Sequence, residues 1–368
     1  MNGTSVTRIV VVVLFLIALS LPFTITSSSQ TQDKPVETVR KNIKVLNGMP
    51  DSQLLPVMNL MSASLGVKCD FCHVAEPGKF QLDDKRPKAT ARQMIQMTQA
   101  INKANFDGQT EVSCNTCHRG STRPVSVPAF ATAAPANTTP NAPGPRAAET
   151  RPSVDEVFNK YVQAVGGKAA VEKVQSRVSQ VTLQRPNSNG KPSTLQIYQK
   201  APNKMMVVIT APDGKVTYQG FNGTAGWVKT GTEQREMSAA ELAQIKLPAD
   251  LYKEVTLKDQ YSNLRVGNKQ KVNDRDAYVV VGTNTATNKR ERLFFDADTG
   301  LLLRRVVFTQ TVLGQDPVQT DYSDYRDVDG VKLPFTVQIS ALDSNQTRVF
   351  SEIKQNVPVD DAKFEPPK

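Results

Sequence analysis

The sequence predicts a multidomain protein: a small, mostly α-helical domain over residues 35–123, then an α+β domain over residues 153–368 with a curved antiparallel sheet. Three observations support this. The chain has 368 residues, more than one compact core usually accommodates. Apolar residues follow the helical period early in the chain and the two-residue strand period later. Residues 124–152, between the two parts, are rich in Pro, Ala and Thr and are expected to form an extended linker.

Residues 1–30 have the features of an export signal. One basic residue, Arg8, precedes an unbroken apolar run from Ile9 to Leu19. The run is short for a membrane-spanning helix, which needs roughly 20 residues, so a cleaved signal peptide is favoured over a retained membrane anchor. In both cases we expect the rest of the chain in the periplasm or on the outer face of the cytoplasmic membrane.

The charge of the chain indicates its partners only broadly. The formal net charge of +10 favours acidic or anionic partners, including membrane surfaces. No long Lys/Arg tract and no alternation of basic and aromatic residues is present, so nucleic acid is not an expected partner.

All cysteines and histidines of the chain lie in two Cys-x-x-Cys-His units, which consist of Cys69, Cys72 and His73, and of Cys114, Cys117 and His118. This is the attachment pattern of c-type haem, in which two thiols bond to the porphyrin and the adjacent histidine binds iron on the proximal side. Cysteines three positions apart lie about one helical turn apart, so both reach one edge of the ring. We therefore expect two covalently bound haems c.

Two other uses of the cysteines are less consistent with the pattern. Four thiolates could form a tetrahedral zinc site, and exported thiols often form disulfides. Neither use explains why a histidine follows each cysteine pair at the same position.

A Met-x-x-Met pair precedes each of these units on a predicted helix, at about residues 51–65 and 90–103. Methionine at helical spacing usually fills a core. Here the pair and the unit recur together, which indicates a duplicated ligand set. Thioether ligation would fill the sixth position of iron and raise its reduction potential.

Spacing alone does not choose between the methionines of a pair, because Met58 and Met61 lie one turn apart, as do Met94 and Met97. A helix that crosses the distal face of a haem before the chain reverses tends to place its earlier residue over the iron. This favours Met58 and Met94 as distal ligands, with Met61 and Met97 as alternatives.

The stretches VMNLMSASLGVKCDFCHVAE and KATARQMIQMTQAINK with VSCNTCHRGSTRP resemble the first two haem-binding segments of the photosynthetic reaction centre cytochrome c subunit family. The resemblance covers about residues 45–128. It implies a helix, a turn and Cys-x-x-Cys-His around each haem, with the first methionine of each pair as distal ligand. The usual member of that family carries four haems and reduces a photo-oxidised chlorophyll pair. Since this chain has two units, it resembles a dihaem variant, and docking to a reaction centre does not follow.

Basic residues near the two units are candidates to pair with haem propionates or with an acidic redox partner. They are Lys85, Arg86, Lys88, Arg92 and Arg119.

The second domain begins with helical signals. Ser153 and Glu156 form a predicted capping box, a short helix is predicted at 168–174, and Ser238 with Glu241 predicts another capped helix between strands. The remaining segments alternate apolar and polar residues, so we expect a partial barrel with helices on one side.

Two turn signals and one aromatic residue stand out in the strand region. Asn222-Gly223 and Asp329-Gly330 predict two-residue hairpins. Trp227 is expected in the core, with a cavity lining as the alternative. Stretches such as NGTAGW and YRDVDGVKLPF are similar to periplasmic outer-membrane lipoprotein carriers, which implies a cavity for an apolar ligand.

Taken together, the residues and the resemblance predict an electron carrier that serves redox protein partners, acidic or membrane-bound, and has no catalytic residues. One alternative is a haem enzyme or gas sensor with an open distal position. Another is an exported lipid or lipoprotein binder that carries a redox module.

Overall fold

The structure, a computed structural model, describes residues 33–76, 78–124, 151–186, 191–342 and 344–366. The predicted export segment and residues 125–150 of the predicted linker lie outside the described residues. The described residues belong to one compact unit, in which we call residues 33–124 the helical module and residues 151–366 the sheet module. No helix in the described part of the chain is both long and apolar enough to cross a membrane.

The helical module contains four α-helices and two short 3-10 turns among its described residues. They are α1 (Val36–Val39), a 3-10 turn at Asp51–Gln53, α2 (Leu54–Leu65), a 3-10 turn at Cys69–Phe71, α3 (Arg86–Asn105) and α4 (Cys114–His118). Gly66, at φ +66°, ends α2 in the left-handed conformation that glycine adopts at little cost. Helix α3 begins before the predicted start at residue 90, because Pro87 fits the first turn of a helix.

Two of the four α-helices in the described part of the sheet module begin at their predicted caps. The four helices are α5 (Val154–Ala164), α6 (Lys168–Glu172), α7 (Ala239–Ala249) and α8 (Lys253–Thr256), with 3-10 turns at Leu257–Gln260 and Asp361–Phe364. Both capping boxes are formed, Ser153 with Glu156 and Ser238 with Glu241. These two predictions are confirmed.

Fourteen strands of the described residues form one antiparallel sheet. They are β1 (Ser176–Gln184), β2 (Ser193–Lys200), β3 (Lys204–Thr210), β4 (Val216–Phe221), β5 (Gly226–Thr230), β6 (Glu233–Glu236), β7 (Tyr261–Val266), β8 (Gln270–Val272), β9 (Arg275–Asn284), β10 (Arg290–Asp296), β11 (Leu302–Thr311), β12 (Gly314–Val328), β13 (Val331–Ser340) and β14 (Asn345–Gln355). Their spatial order is 6-5-4-3-2-1-14-13-12-11-10-9-7, and β8 pairs with β9.

The helices cover one face of this sheet, as predicted. Helix α5 packs Phe158 against Phe295 at one end, and α7 packs Leu242 near Val207 at the other. The strand register carries both contacts to the same face. Trp227 lies on the opposite face and is 4% exposed, so the prediction of a core tryptophan is confirmed.

One of the two predicted hairpin turns is confirmed and the other is wrong. Asp329 and Gly330 form a two-residue turn with φ of +50° and +84°. Asn222 instead opens a four-residue loop between Phe221 and Gly226. Its Oδ1 accepts hydrogen bonds from the backbone N–H groups of the two residues before Gly226, and this side-chain turn replaces the tight one.

The sheet module contributes to the core of the helical module. Leu313, in the turn between β11 and β12, is fully buried in a cluster with Leu60, Met61 and Ile95. Gln310 of β11 also donates a hydrogen bond from Nε2 to Thr110 Oγ1 at 3.1 Å. The two modules therefore share side-chain packing at this point.

Candidate functional site

The first Cys-x-x-Cys-His unit lines a cavity of about 610 Å³, which we call the first cavity. Helices α2 and α3, residues 39–46 and the 3-10 turn at Cys69 form its walls. Cys69, Cys72, His73 and Met58 all line it. The structure thus brings together the predicted attachment, proximal and distal residues of the first site.

The second unit lines a second cavity, of about 450 Å³. Cys114, Cys117 and His118 line it from α4, and Met94 and Met97 line it from α3. The helix α4 consists of the unit itself, so both thiols lie one turn apart on a single short helix.

The two cavities share a wall. The side chains that line both are Met61, Leu65, Cys72, Ala91 and Ile95. Backbone contacts hold the two sites together on the same side, since Gly120 N donates to Ser64 O at 2.8 Å and a Cβ on Gly66 would lie 2.2 Å from Gly120 O. This contact explains why the turn after α2 needs glycine.

Each histidine is oriented by a backbone carbonyl. His73 Nδ1 lies 2.8 Å from Phe80 O, and His118 Nδ1 lies 2.9 Å from Ser121 O. Because a carbonyl only accepts, Nδ1 carries the proton in both rings, and Nε2 keeps its lone pair. This is the arrangement found for histidines that bind a metal.

The methionines differ in their surroundings. Met58 is half-buried and lines the first cavity. Met61 is 9% exposed and belongs to the packed core around Leu313. In the second cavity, Met94 is half-buried and Met97 is 45% exposed.

The walls of both cavities include apolar side chains that are exposed to solvent. Eight large apolar side chains are exposed among the described residues, and five of them line the cavities: Val39, Leu55, Phe71, Phe80 and Met97. Leu55 is 64% exposed. Exposed apolar surface of this kind marks a place where another apolar body packs.

The cysteines are free thiols in the structure, and burial raises the pKa of Cys72 and of Cys114. Among the described residues, no three His, Cys, Asp or Glu side chains are grouped so that they could hold a metal ion.

The basic residues singled out in the sequence mostly have partners within the protein. Lys85 Nζ donates to Asp70 O, and Lys88 Nζ donates to Phe80 O at 2.9 Å and to Leu82 O at 2.7 Å. Arg92 pairs with Asp83 at 2.8 Å.

Arg86 and Arg119 of the same group are exposed. Among the cations that the sequence reasoning missed, Lys68 lines the first cavity, and so do three from residues 39–46: Arg40, Lys41 and Lys44. Residues 40, 41 and 44 reach the cavity only because residues 39–46 fold against α2. Their local sequence therefore shows nothing but their positive charge.

Asp83 is the acidic centre of this basic group. It accepts from Lys44 at 2.7 Å, from Arg92 at 2.8 Å and from Asn42 Nδ2 at 3.0 Å, and Lys88 lies 3.4 Å away. These hydrogen bonds, with that of Arg92 first, hold the pKa of Asp83 well below its usual range. The carboxylate therefore stays charged and ties α3 to residues 42–44.

The sheet module has a cavity of its own, of about 770 Å³, between α7 and strands β9–β12. Its lining combines polar side chains such as Gln260, Lys289 and Arg305 with apolar ones such as Phe221, Leu247 and Val318. Glu291, which is fully buried there, accepts two hydrogen bonds from Arg305 at 2.6 and 2.7 Å. The cavity thus has apolar surface, as expected from the sequence, and a buried ion pair beside it.

Comparisons with known proteins agree with the chemistry of the helical module. The family described as "Photosynthetic reaction centre cytochrome C subunit" matches residues 12–206. The photosynthetic reaction center cytochrome c subunit of Roseobacter denitrificans is 34% identical over 98 residues, which cover 24% of this chain and 26% of that protein. The subunit of Thermochromatium tepidum is 33% identical over 91 residues, which cover 23% and 22%. The chain thus spans about a quarter of the length of these two relatives.

Two solved structures are similar to this chain at low sequence identity. A LolA superfamily protein from Nitrosomonas europaea has a TM-score of 0.42 at 14% identity, covering 59% of this chain and 99% of its own. A DUF1329 family protein from Desulfovibrio piger has a TM-score of 0.43 at 16% identity, covering 58% and 97%.

Proposed function

Because the chain belongs to the photosynthetic reaction centre cytochrome c subunit family, we propose that it is a dihaem c-type cytochrome that carries single electrons. The observation that supports this most directly is the composition of each cavity wall. The two thiols and the imidazole of one Cys-x-x-Cys-His unit, together with at least one thioether, line each of the two cavities. That is the full donor set of a covalently attached haem with His/Met ligation.

When bound, each haem supplies an iron that gains and loses one electron. The protein residues would divide the remaining tasks. Cys69 with Cys72, and Cys114 with Cys117, would anchor the two haems by thioether bonds. His73 and His118 would bind iron through Nε2, since a backbone carbonyl holds Nδ1 in each ring.

The cavity walls suit electron transfer. A bound haem would cover exposed side chains such as Leu55 and Phe80, and these side chains would keep water away from the haem. The side chains of Met61, Leu65 and Ile95 line both cavities and would therefore lie beside both haems. Met58 and Met94 would each supply a further ligand to a haem iron, so no position there would be open to a substrate and the protein would only pass electrons between partners.

The partners we propose are redox proteins with acidic or membrane-bound surfaces, met in the periplasm or at the outer face of the cytoplasmic membrane. The formal charge of +10 supports an acidic partner. A membrane-bound reaction centre, the partner of the family's usual member, would be one partner of this kind, with photosynthetic electron transport as the corresponding process.

Two alternative functions lead to different measurements. A haem enzyme or gas sensor would have one open distal position and a high-spin component in its optical spectrum. A lipid or lipoprotein binder would retain an apolar ligand in the sheet module through purification.

Substitution of the first methionine pair tests the proposed ligation at the first site. Met58→Ala should lower one of the two midpoint potentials and open that iron to added ligands, with both covalent attachments kept, because the distal thioether is lost. Met61→Ala is the matched control on the same helix face and should leave the distal ligand in place. If Met61→Ala opens the iron and Met58→Ala does not, the proposed ligand is wrong.

The same comparison applies to the second site with Met94→Ala and Met97→Ala. We propose Met94 as the ligand, so Met94→Ala should lower the other midpoint potential. Full low-spin spectra in both variants of the pair would contradict methionine ligation there.

A further inference from the structure

We propose that Lys88 raises the reduction potential of the haem at the first site above the value that His73 and its methionine would give alone. The proposal rests on the dihaem function above. Lys88 would act through the carbonyl oxygen of Phe80, which it shares with His73. It is a positioning and tuning residue and has no contact with iron.

The geometry that supports this is a three-centre contact at Phe80 O. His73 Nδ1 donates to this oxygen at 2.8 Å, and Lys88 Nζ donates to the same oxygen at 2.9 Å. A carbonyl oxygen has two lone pairs, so both bonds form at once. An acceptor engaged by an ammonium group is a weaker acceptor for the second donor.

The strength of that acceptor bears on the iron. A strong acceptor at Nδ1 makes the imidazole a more basic ligand, which stabilises the oxidised metal. Lys88 withdraws electron density from Phe80 O and so makes His73 less basic. Both this effect and the positive charge of Lys88 favour the reduced state.

The charge of Lys88 is weakly screened. Its side chain is 12% exposed, and Nζ is also held by Leu82 O at 2.7 Å. Asp83 lies 3.4 Å from Lys88, but it also pairs with Lys44 and Arg92, so three cations face one carboxylate. The group therefore keeps a positive charge beside the first cavity.

The second site lacks this feature. His118 Nδ1 donates to Ser121 O at 2.9 Å, and no lysine or arginine side chain donates to that oxygen among the described residues. Each histidine thus donates to a backbone carbonyl, but only the carbonyl that accepts from His73 also accepts from a lysine. The duplication of the two units makes His118 an internal reference for His73.

The experiment is redox titration of the purified holoprotein and of three variants. Lys88→Gln removes the charge and should shift one midpoint potential downward and leave the other unchanged. Lys88→Arg keeps a cationic donor, so its midpoint potential should stay close to that of the wild type. Lys79→Gln removes the same charge from an exposed side chain paired with Glu76, and should shift neither potential measurably.

Asp83→Asn is the control for disordering of the segment that contains Phe80. Removing this carboxylate leaves Lys88, Lys44 and Arg92 unopposed, so the same midpoint potential should shift upward. Disordering would shift the midpoint potential of Lys88→Gln and of Asp83→Asn in the same direction, and that result would overturn the proposal. Unchanged potentials in Lys88→Gln would overturn it as well. Intact mass is measured alongside: a chain without haem contradicts the proposed function, whereas two haems with unchanged potentials contradict only the role of Lys88.

Discussion

Leu313 provides a test of how the two modules depend on each other. The side chain is fully buried, although it comes from the sheet module and packs in the core of the helical module beside Leu60 and Met61. Leu313→Ala removes three carbon atoms, worth about 2.4 kcal/mol of transfer free energy at about 0.8 kcal/mol per buried carbon. The cavity left behind adds to this, so we expect a loss of about 3 kcal/mol in the free energy of unfolding.

The assay is urea unfolding of the holoprotein, followed by far-ultraviolet circular dichroism and by haem absorption. The neighbouring variant Val312→Ala is the matched control, because Val312 lies in the same turn and is 38% exposed. It should change stability by less than about 0.5 kcal/mol. Equal stability of Leu313→Ala and the wild type would refute the packing of the sheet module in the helical core.

Two further predictions concern a turn and a helix cap. Gly66→Ala should cost more than Gly108→Ala in urea unfolding, because both have positive φ but only Gly66 would place its Cβ against Gly120 O; equal losses would contradict that contact. The hydrogen bonds from Arg235 are the main cause that lowers the pKa of Glu241 to about 2. The charged Glu241 therefore stabilises the folded protein at pH 7, and this contribution is lost as pH falls from about 5 towards 2. Glu241→Gln should flatten that part of the pH–stability curve, and an unchanged curve would contradict the ion pair.

The parts of the structure set by local sequence were predictable. The two helices with methionine pairs and both capping boxes depend on residues within a few positions of one another. The hairpin at Asp329 was predictable for the same reason. The loop at Asn222 was not, because its side chain competes with the tight turn for the same backbone N–H groups.

The parts set by tertiary contacts were not predictable from the sequence. Nothing near Leu313 indicates that it completes the core of a module about 250 residues earlier. Phe80 acts through its backbone carbonyl, which any residue supplies, so its partnership with His73 and Lys88 leaves no sequence signal. The basic residues were visible as charges, but their partners became clear only from the fold.

The most direct test of the proposed function is the intact mass of the mature polypeptide after denaturation. The protein should be produced with the machinery that attaches c-type haem. Because thioether bonds survive unfolding, the mass should exceed that of the amino acids by two haems. A mass equal to that of the amino acids alone would contradict the proposal that the cysteines at 69, 72, 114 and 117 anchor haem.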